Sequence, residues 1–291
     1  MPEPVPAAAA APRPALRVAR LRGTDLHFVE QGSGTPVVLV HGTLGSLDSW
    51  RAQVDTFARH FRVVAYSRRY HPPNPARADG QPYSLDLHAG DLIGLIEALR
   101  LERVHLVAAS YGAYVALQVA LERPDLVRSL ALTEPPILPW LARTPAGDSL
   151  RRAFTAGVLD PARRAFARGD SVEAVRRFLD AVTGRPGGFD ALPAASRAAL
   201  LRAAFEFRLE LGADPAAYMP ALSCSAVGRI RSPVLLVRGE RSPRFLRLAL
   251  EELARCLPHE EAVTIPGAGH TPHADQPAAY NALVLAFLAR N

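Results

Sequence analysis

Leu106-Val107-Ala108-Ala109-Ser110-Tyr111-Gly112-Ala113 reads as an apolar strand that passes through a tight turn directly into a helix, with a serine at the turn. A serine lifted onto a strained strand-to-helix turn needs small neighbours two residues before and after it. Bulky Cβ groups at those places would strike the adjacent strand and helix. Ala108 and Gly112 occupy them, so the leading Gly of the usual G-x-S-x-G pattern is replaced by Ala without losing the steric logic. Alone the string is weak, because ordinary turns between a buried strand and a helix look the same.

Two distant segments strengthen it. Pro36-Val37-Val38-Leu39-Val40 is a continuous β-branched apolar run, as expected of a strand buried on both faces, and it ends in His41-Gly42-Thr43-Leu44-Gly45. The backbone N–H groups of Thr43 and Tyr111 are candidates to hold an oxygen that becomes negative during acyl transfer. Near the other end, Ala262-Val263-Thr264-Ile265-Pro266-Gly267-Ala268-Gly269-His270 reads as a last strand and a glycine-rich loop presenting a histidine. Serine at its free pKa is a weak nucleophile and needs an imidazole to take its proton. His270 stands in the required order after the oxyanion loop and the serine turn.

On His41-Gly42, Ala108-Ala109-Ser110-Tyr111-Gly112 and Gly269-His270, the chain resembles the α/β-hydrolase superfamily from about Val18 to Leu288. Trp50 also stands where many members carry a Trp at the start of the first helix. The resemblance implies an α/β fold class: a mostly parallel central sheet flanked by helices, with an inserted helical cap. Where many members read D-x-R-G-x-G-x-S, this chain has Tyr66-Ser67-Arg68-Arg69-Tyr70-His71-Pro72-Pro73, to which the sequence assigns no chemistry beyond a loop stiffened by Pro72, Pro73 and Pro75.

Composition sets limits. With 291 residues, 49% of them apolar, the chain can bury a large core. The formal charge of +6 comes from 34 basic residues, all Arg, dispersed among 28 acidic ones. A nucleic-acid surface would cluster them with aromatics, so no nucleic-acid partner is expected. Cys224 and Cys256 show no metal-ligand spacing and read as buried free thiols in a reducing compartment, with a disulfide as the alternative. No apolar run reaches the roughly 18 residues of a membrane span. The Pro- and Ala-rich stretch 1–15 has neither a basic start nor a proper apolar segment and reads as a disordered tail, so a cytoplasmic location is expected by default.

Strand-like runs alternate with helical patterns through 16–135 and again through 229–291, the layout of a parallel sheet covered on both faces. Between them, over 136–228, the strand pattern stops and Ala- and charge-rich stretches with helical periodicity are broken by Pro161, Gly184, Pro186 and Pro215. The resemblance makes this the cap over the serine. Trp140, Phe154, Phe205, Phe207 and Tyr218 are candidates to line a substrate pocket there.

A carboxylate is still needed to orient and stabilise the imidazole. Most relatives place an Asp three residues after the Gly that ends the strand Pro233–Gly239, but here that residue is Ser242. Two acids remain, Glu134 at the end of the strand after the serine helix, and Glu240, which could equally be a surface carboxylate paired with Arg238 or Arg241. Glu134 is favoured because its strand neighbours the serine strand and it lies at the carboxyl end, where open parallel sheets place their chemistry. Some haloalkane dehalogenases and the zearalenone-type lactonases, which the chain resembles here, carry a Glu at that position. Dehalogenases and epoxide hydrolases use an Asp nucleophile, and position 110 is Ser. The expected activity is hydrolysis of a small-molecule carboxylic ester or lactone through a Ser110-His270-Glu134 triad with no metal or cofactor. C–C bond hydrolysis, thioester cleavage, perhydrolysis and a non-catalytic ligand receptor are the alternatives.

Overall fold

The computed structural model describes residues 14–291, so the tail expected at 1–15 falls almost wholly outside the described residues. Eight strands form one sheet: β1 (Arg17–Leu21), β2 (Thr24–Gln31), β3 (Pro36–Val40), β4 (Arg62–Tyr66), β5 (Val104–Ala109), β6 (Val127–Thr133), β7 (Val234–Gly239) and β8 (Glu260–Ile265). Their order across the sheet is β1-β2-β4-β3-β5-β6-β7-β8. β1 and β2 pair antiparallel with each other, and β2 pairs antiparallel with β4; every pairing from β4 to β8 is parallel.

The long apolar runs of β3 and β5 follow from burial on both faces. Leu106 and Ala108 of β5 pack with α2 (Leu85–Ala98) and α3 (Tyr111–Glu122) on one side. Val107 and Ala109 pack with α1 (Arg51–Phe57) and the C-terminal helix Pro277–Arg290 on the other. Successive side chains of a strand alternate between faces, so both faces must be apolar.

Between β6 and β7 every regular element is a helix. The longest, Ser171–Thr183, begins at Asp170, whose side chain accepts from the Glu173 N–H, and stops at Gly184 in the left-handed region. Its Ala174 and Val175 join Ala162, Ala165, Phe189 and Phe207 in an apolar cluster that reaches Leu44 of the loop after β3. A π-helical turn, Thr155–Leu159, joins helix Pro145–Phe154 to helix Asp160–Ala167.

The expectation of free thiols is corrected. Cys224 and Cys256 form a disulfide, with Cα atoms 5.1 Å apart. The fold lays the start of helix Cys224–Val227 against the residues that follow helix Arg244–Ala254, a juxtaposition that spacing along the chain does not encode. The pairing also removes the support that free thiols gave to a reducing compartment. Among the described residues no helix is long and apolar enough to cross a membrane.

Candidate active site

Strand register brings the chemistry together. Val40 pairs with Ala108, Ala109 with Thr133, and Thr133 with Val237. The residues that come next, His41, Ser110 and Glu134, therefore emerge side by side at one carboxyl edge of the sheet. The Ser110 N–H donates to the Thr133 carbonyl at 2.8 Å and the Glu134 N–H to the Val237 carbonyl at 3.3 Å. Both residues have positive φ, 52° for Ser110 and 44° for Glu134. Such conformations cost about 1–3 kcal/mol each in non-glycine residues and cluster at functional sites. Gly112 makes the turn possible, because a Cβ there would lie 2.4 Å from the carbonyl oxygens of Val40 and His41.

His270 follows β8 on a loop anchored by the Arg241 N–H donating to the Ala268 carbonyl at 2.8 Å and the Gly269 N–H to Asp275 at 2.8 Å. Its Nδ1 lies 2.6 Å from Glu134 Oε2, and Glu134 Oε1 accepts the Gly239 N–H at 2.9 Å. The contact sets Nδ1 against the Glu134 carboxyl group and leaves Nε2 on the far edge of the ring. Glu134 is fully buried. Glu240 is exposed and caps the Gly267 N–H at 2.9 Å, whereas Arg238 pairs with Glu251 and Thr264; the surface pairing expected for Glu240 is thus with backbone. Ser242 is buried and its Oγ has no partner among the described residues.

Ser110, His270 and Thr43 line one cavity of about 500 Å³. The N–H groups of Thr43 and Tyr111 meet no acceptor among the described residues. Tyr111 opens α3, so its amide is one of the unpaired donors at a helix N-terminus.

Of the five aromatic candidates, Phe154 and Tyr218 line this cavity and Trp140, Phe205 and Phe207 do not. Trp140 is buried with Nε1 donating to the Leu222 carbonyl and the Arg143 guanidinium 4.1 Å over its ring. Phe205 packs edge-on to Tyr70, and Phe207 is enclosed by Phe166 and Phe178. An apolar side chain on an amphipathic helix does not announce whether its face meets core or cavity. The wall is completed by residues the sequence did not single out, among them Leu138, Phe178, Phe245, Leu246 and Glu210. Phe245 and Leu246 come from helix Arg244–Ala254 after Ser242-Pro243, outside the stretch 136–228 expected to form the cap.

The unassigned loop after β4 proves to be part of the site's foundation. The Arg68 N–H donates to His41 Nε2 at 2.9 Å and its Nε to the His41 carbonyl at 3.1 Å, while its guanidinium lies over the Tyr111 ring at 5.0 Å. Arg68 is 3.6 Å from Glu206 of helix Ala204–Gly212, which also meets His71 Nε2 at 2.8 Å and the Tyr83 hydroxyl. One turn on, Glu210 hydrogen-bonds Thr43 Oγ1 at 2.9 Å and the Tyr218 hydroxyl. Burial holds His41 and His71 well below the ordinary imidazole range. Burial also pushes Glu206 up to about 7 against the pull of Arg68, and burial together with Glu206 pushes Glu210 up to about 8. The available signal in the sequence was the pair of glutamates four apart, hence on one helix face, among apolar residues.

Residues 35–277 match the family model described as alpha/beta hydrolase fold. Over 256 residues the chain is 28% identical to 2-(acetamidomethylene)succinate hydrolase of Mesorhizobium japonicum, covering 84% of each protein. It is 33% identical to bifunctional epoxide hydrolase 2 of Sus scrofa over 118 residues, which is 40% of this chain and 21% of that protein. The chain spans no more than 40% of the length of three curated relatives that it matches at 33–36% identity. Among solved structures, Est816, described as an N-acyl homoserine lactone degrading enzyme, superposes with a TM-score of 0.71 at 23% identity, covering 93% of this chain and 100% of that one. With its parallel sheet, its serine turn and a family match across residues 35–277, the chain belongs to the α/β-hydrolase fold family.

Proposed function

We propose that the protein is a hydrolase of carboxylic esters or lactones that works through an acyl-enzyme. The observation that carries this reading is the 2.6 Å contact between Glu134 and His270, at the sheet edge where Ser110 shares a cavity with His270 and two unpaired amides. Ser110 Oγ attacks the carbonyl carbon while His270 Nε2 takes its proton, and the N–H groups of Thr43 and Tyr111 receive the oxygen that becomes negative. The C–O bond to the leaving alcohol then breaks as His270 returns the proton to it. Water repeats the sequence on the acyl-enzyme and frees Ser110. Glu134 keeps the Nδ1 proton in place and stabilises the imidazolium.

Mostly apolar walls and a volume of about 500 Å³ suit an uncharged substrate of drug-like size. The relatives named for opening epoxides do not transfer easily, because the residue at the turn is a serine. A panel of p-nitrophenyl esters and aliphatic and aryl lactones tests the proposal. Turnover is expected to improve from acetate to longer or bulkier acyl groups. No turnover of any ester or lactone by folded protein would leave a ligand receptor as the better account.

A further inference from the structure

Thr43 and Tyr111 supply the two amides assigned above to the oxyanion, and the side chains of both are held by the helical stretch between β6 and β7. Glu210 Oε2 hydrogen-bonds Thr43 Oγ1 at 2.9 Å. The Tyr111 hydroxyl donates to the Tyr218 carbonyl at 3.0 Å, and the two rings stack at 4.7 Å. The Tyr218 hydroxyl bonds the other oxygen of Glu210, so one carboxyl joins both arms. The loop carrying Thr43 is pinned at its ends, by the Gly45 N–H donating to the Gly42 carbonyl at 3.2 Å, His41 Nδ1 against the Gly42 carbonyl at 2.8 Å and His71 Nδ1 against the Gly45 carbonyl at 2.9 Å, while the side chain of Thr43 between them is held by Glu210. Leu44 is anchored in the apolar cluster of the helical stretch, and His41 is held by Arg68, which faces Glu206 on the helix that carries Glu210.

We propose that Glu210 is a positioning residue for the oxyanion hole: by gripping Thr43 Oγ1 and the Tyr218 hydroxyl it aims the Thr43 N–H, so the hole is complete only while helix Ala204–Gly212 is seated on the core. The proposal rests on the reading of Thr43 and Tyr111 as oxyanion donors. A group that acts this way is felt in the transition state and little in substrate binding.

The experiment measures kcat and KM on phenyl acetate, a substrate small enough to need few contacts with the far wall, with thermal melts to follow folding. Glu210→Ala is expected to lower kcat about 30-fold with KM within about threefold, less than the roughly 100- to 1,000-fold cost of removing an oxyanion donor because the Thr43 N–H is misaimed and not lost. Glu210→Gln, which keeps hydrogen-bonding atoms in both places, should recover most of the loss. From the other end of the bond, Thr43→Val should lose as much as Glu210→Ala, Thr43→Ser should lose little, and the Thr43→Val/Glu210→Ala double variant should be no worse than about twofold below either single one. Because the Thr43 variants leave the helix untouched, they answer the question even if Glu210→Ala folds poorly. Losses that multiply in the double variant, a defect confined to KM, or native kcat in Thr43→Val would overturn the positioning role. Ser110→Ala run alongside separates the two levels: inactivity there with native kcat in Glu210→Ala and Thr43→Val removes only the role of Glu210, whereas retained turnover removes the acyl-enzyme reading and this inference with it.

Discussion

Glu134 Oε2 lies 2.6 Å from His270 Nδ1 across 136 residues of chain, and its other oxygen is fixed by the Gly239 N–H. The second bond matters as much as the first. It comes from the glycine that ends β7, so the carboxylate is wedged between two strands and cannot rotate away from the imidazole. The position after β7 where an Asp was expected holds Ser242; in the proposed assignment the acid comes from the end of β6, and β7 contributes the Gly239 amide.

Glu134→Gln is expected to keep the fold and lower kcat on a p-nitrophenyl ester by about a thousandfold or more, because an amide neither fixes the His270 tautomer nor stabilises its charged form. Glu240→Gln, at an exposed residue bonded to the Gly267 N–H, should stay within about threefold of the native rate. Steady-state kinetics with circular dichroism on both variants checks this, and the reverse pattern would move the acid to Glu240.

Phe154, from helix Pro145–Phe154, and Phe245, from helix Arg244–Ala254, stack on each other at 4.5 Å in the cavity wall. Phe154→Ala and Phe245→Ala should shift the acyl-length preference toward larger groups, with phenyl acetate turnover changed little. Phe207→Ala empties a fully buried site behind the wall residue Phe178 and should chiefly lower stability, by about 3–5 kcal/mol, with a smaller change in substrate ranking than Phe154→Ala or Phe245→Ala. Kinetics across an ester series, combined with denaturant melts, separates the two kinds of effect.

His41 and His88 are held well below the ordinary imidazole range, chiefly by burial. His41 is fully engaged as a neutral ring, with Nδ1 against the Gly42 carbonyl and Nε2 accepting from Arg68, so it has no place for a second proton. Unfolded histidines protonate near pH 6.5, so this contribution is fully present above that pH and is lost as pH falls below it. Stability is therefore expected to fall as pH drops from 7 to 5.5, with His71, lowered by burial in the same way, adding to the effect. His88→Leu should therefore gain on the native protein as pH drops from 7 to 5.5 in urea melts; a constant difference between them would refute the linkage.

The Cys224–Cys256 bridge closes a loop with a sequence separation of 32 between the end of the helical stretch and the core. Its removal by Cys256→Ser or by reductant should cost about 3–4 kcal/mol and lower Tm by about 5–10 °C. Calorimetry with and without reductant checks it, and identical melts would mean that the bridge does not form in the protein as prepared.

The parts of the molecule that could be read in advance are those whose physics is local. The apolar runs of β3, β5 and β7 must be strands buried on both faces, and Ala108 and Gly112 mark the serine turn by size alone. Glu134 could be singled out because a parallel sheet collects its chemistry at strand ends. What escaped depends on rotation and on distant packing. Trp140, Phe205 and Phe207 have the same hydrophobic character as Phe154 and Phe178, and only the docking of the helices decides which of them face the cavity. The loop Tyr66–Pro73 was opaque because Arg68 and His71 are placed by contacts with His41, Gly45 and Glu206, none of them adjacent in sequence. The edge strand β1, short and largely exposed, gave no burial pattern to read.

The central claim is that Ser110 is the nucleophile, and it is tested most directly by mapping the site of covalent capture. Native protein treated with a fluorophosphonate should gain one phosphonyl group in its intact mass, lose esterase activity in step, and carry the label on the peptide bearing Ser110, while Ser110→Ala stays unlabelled, inactive and folded. Label on another residue, or ester turnover that survives in Ser110→Ala, would contradict the account.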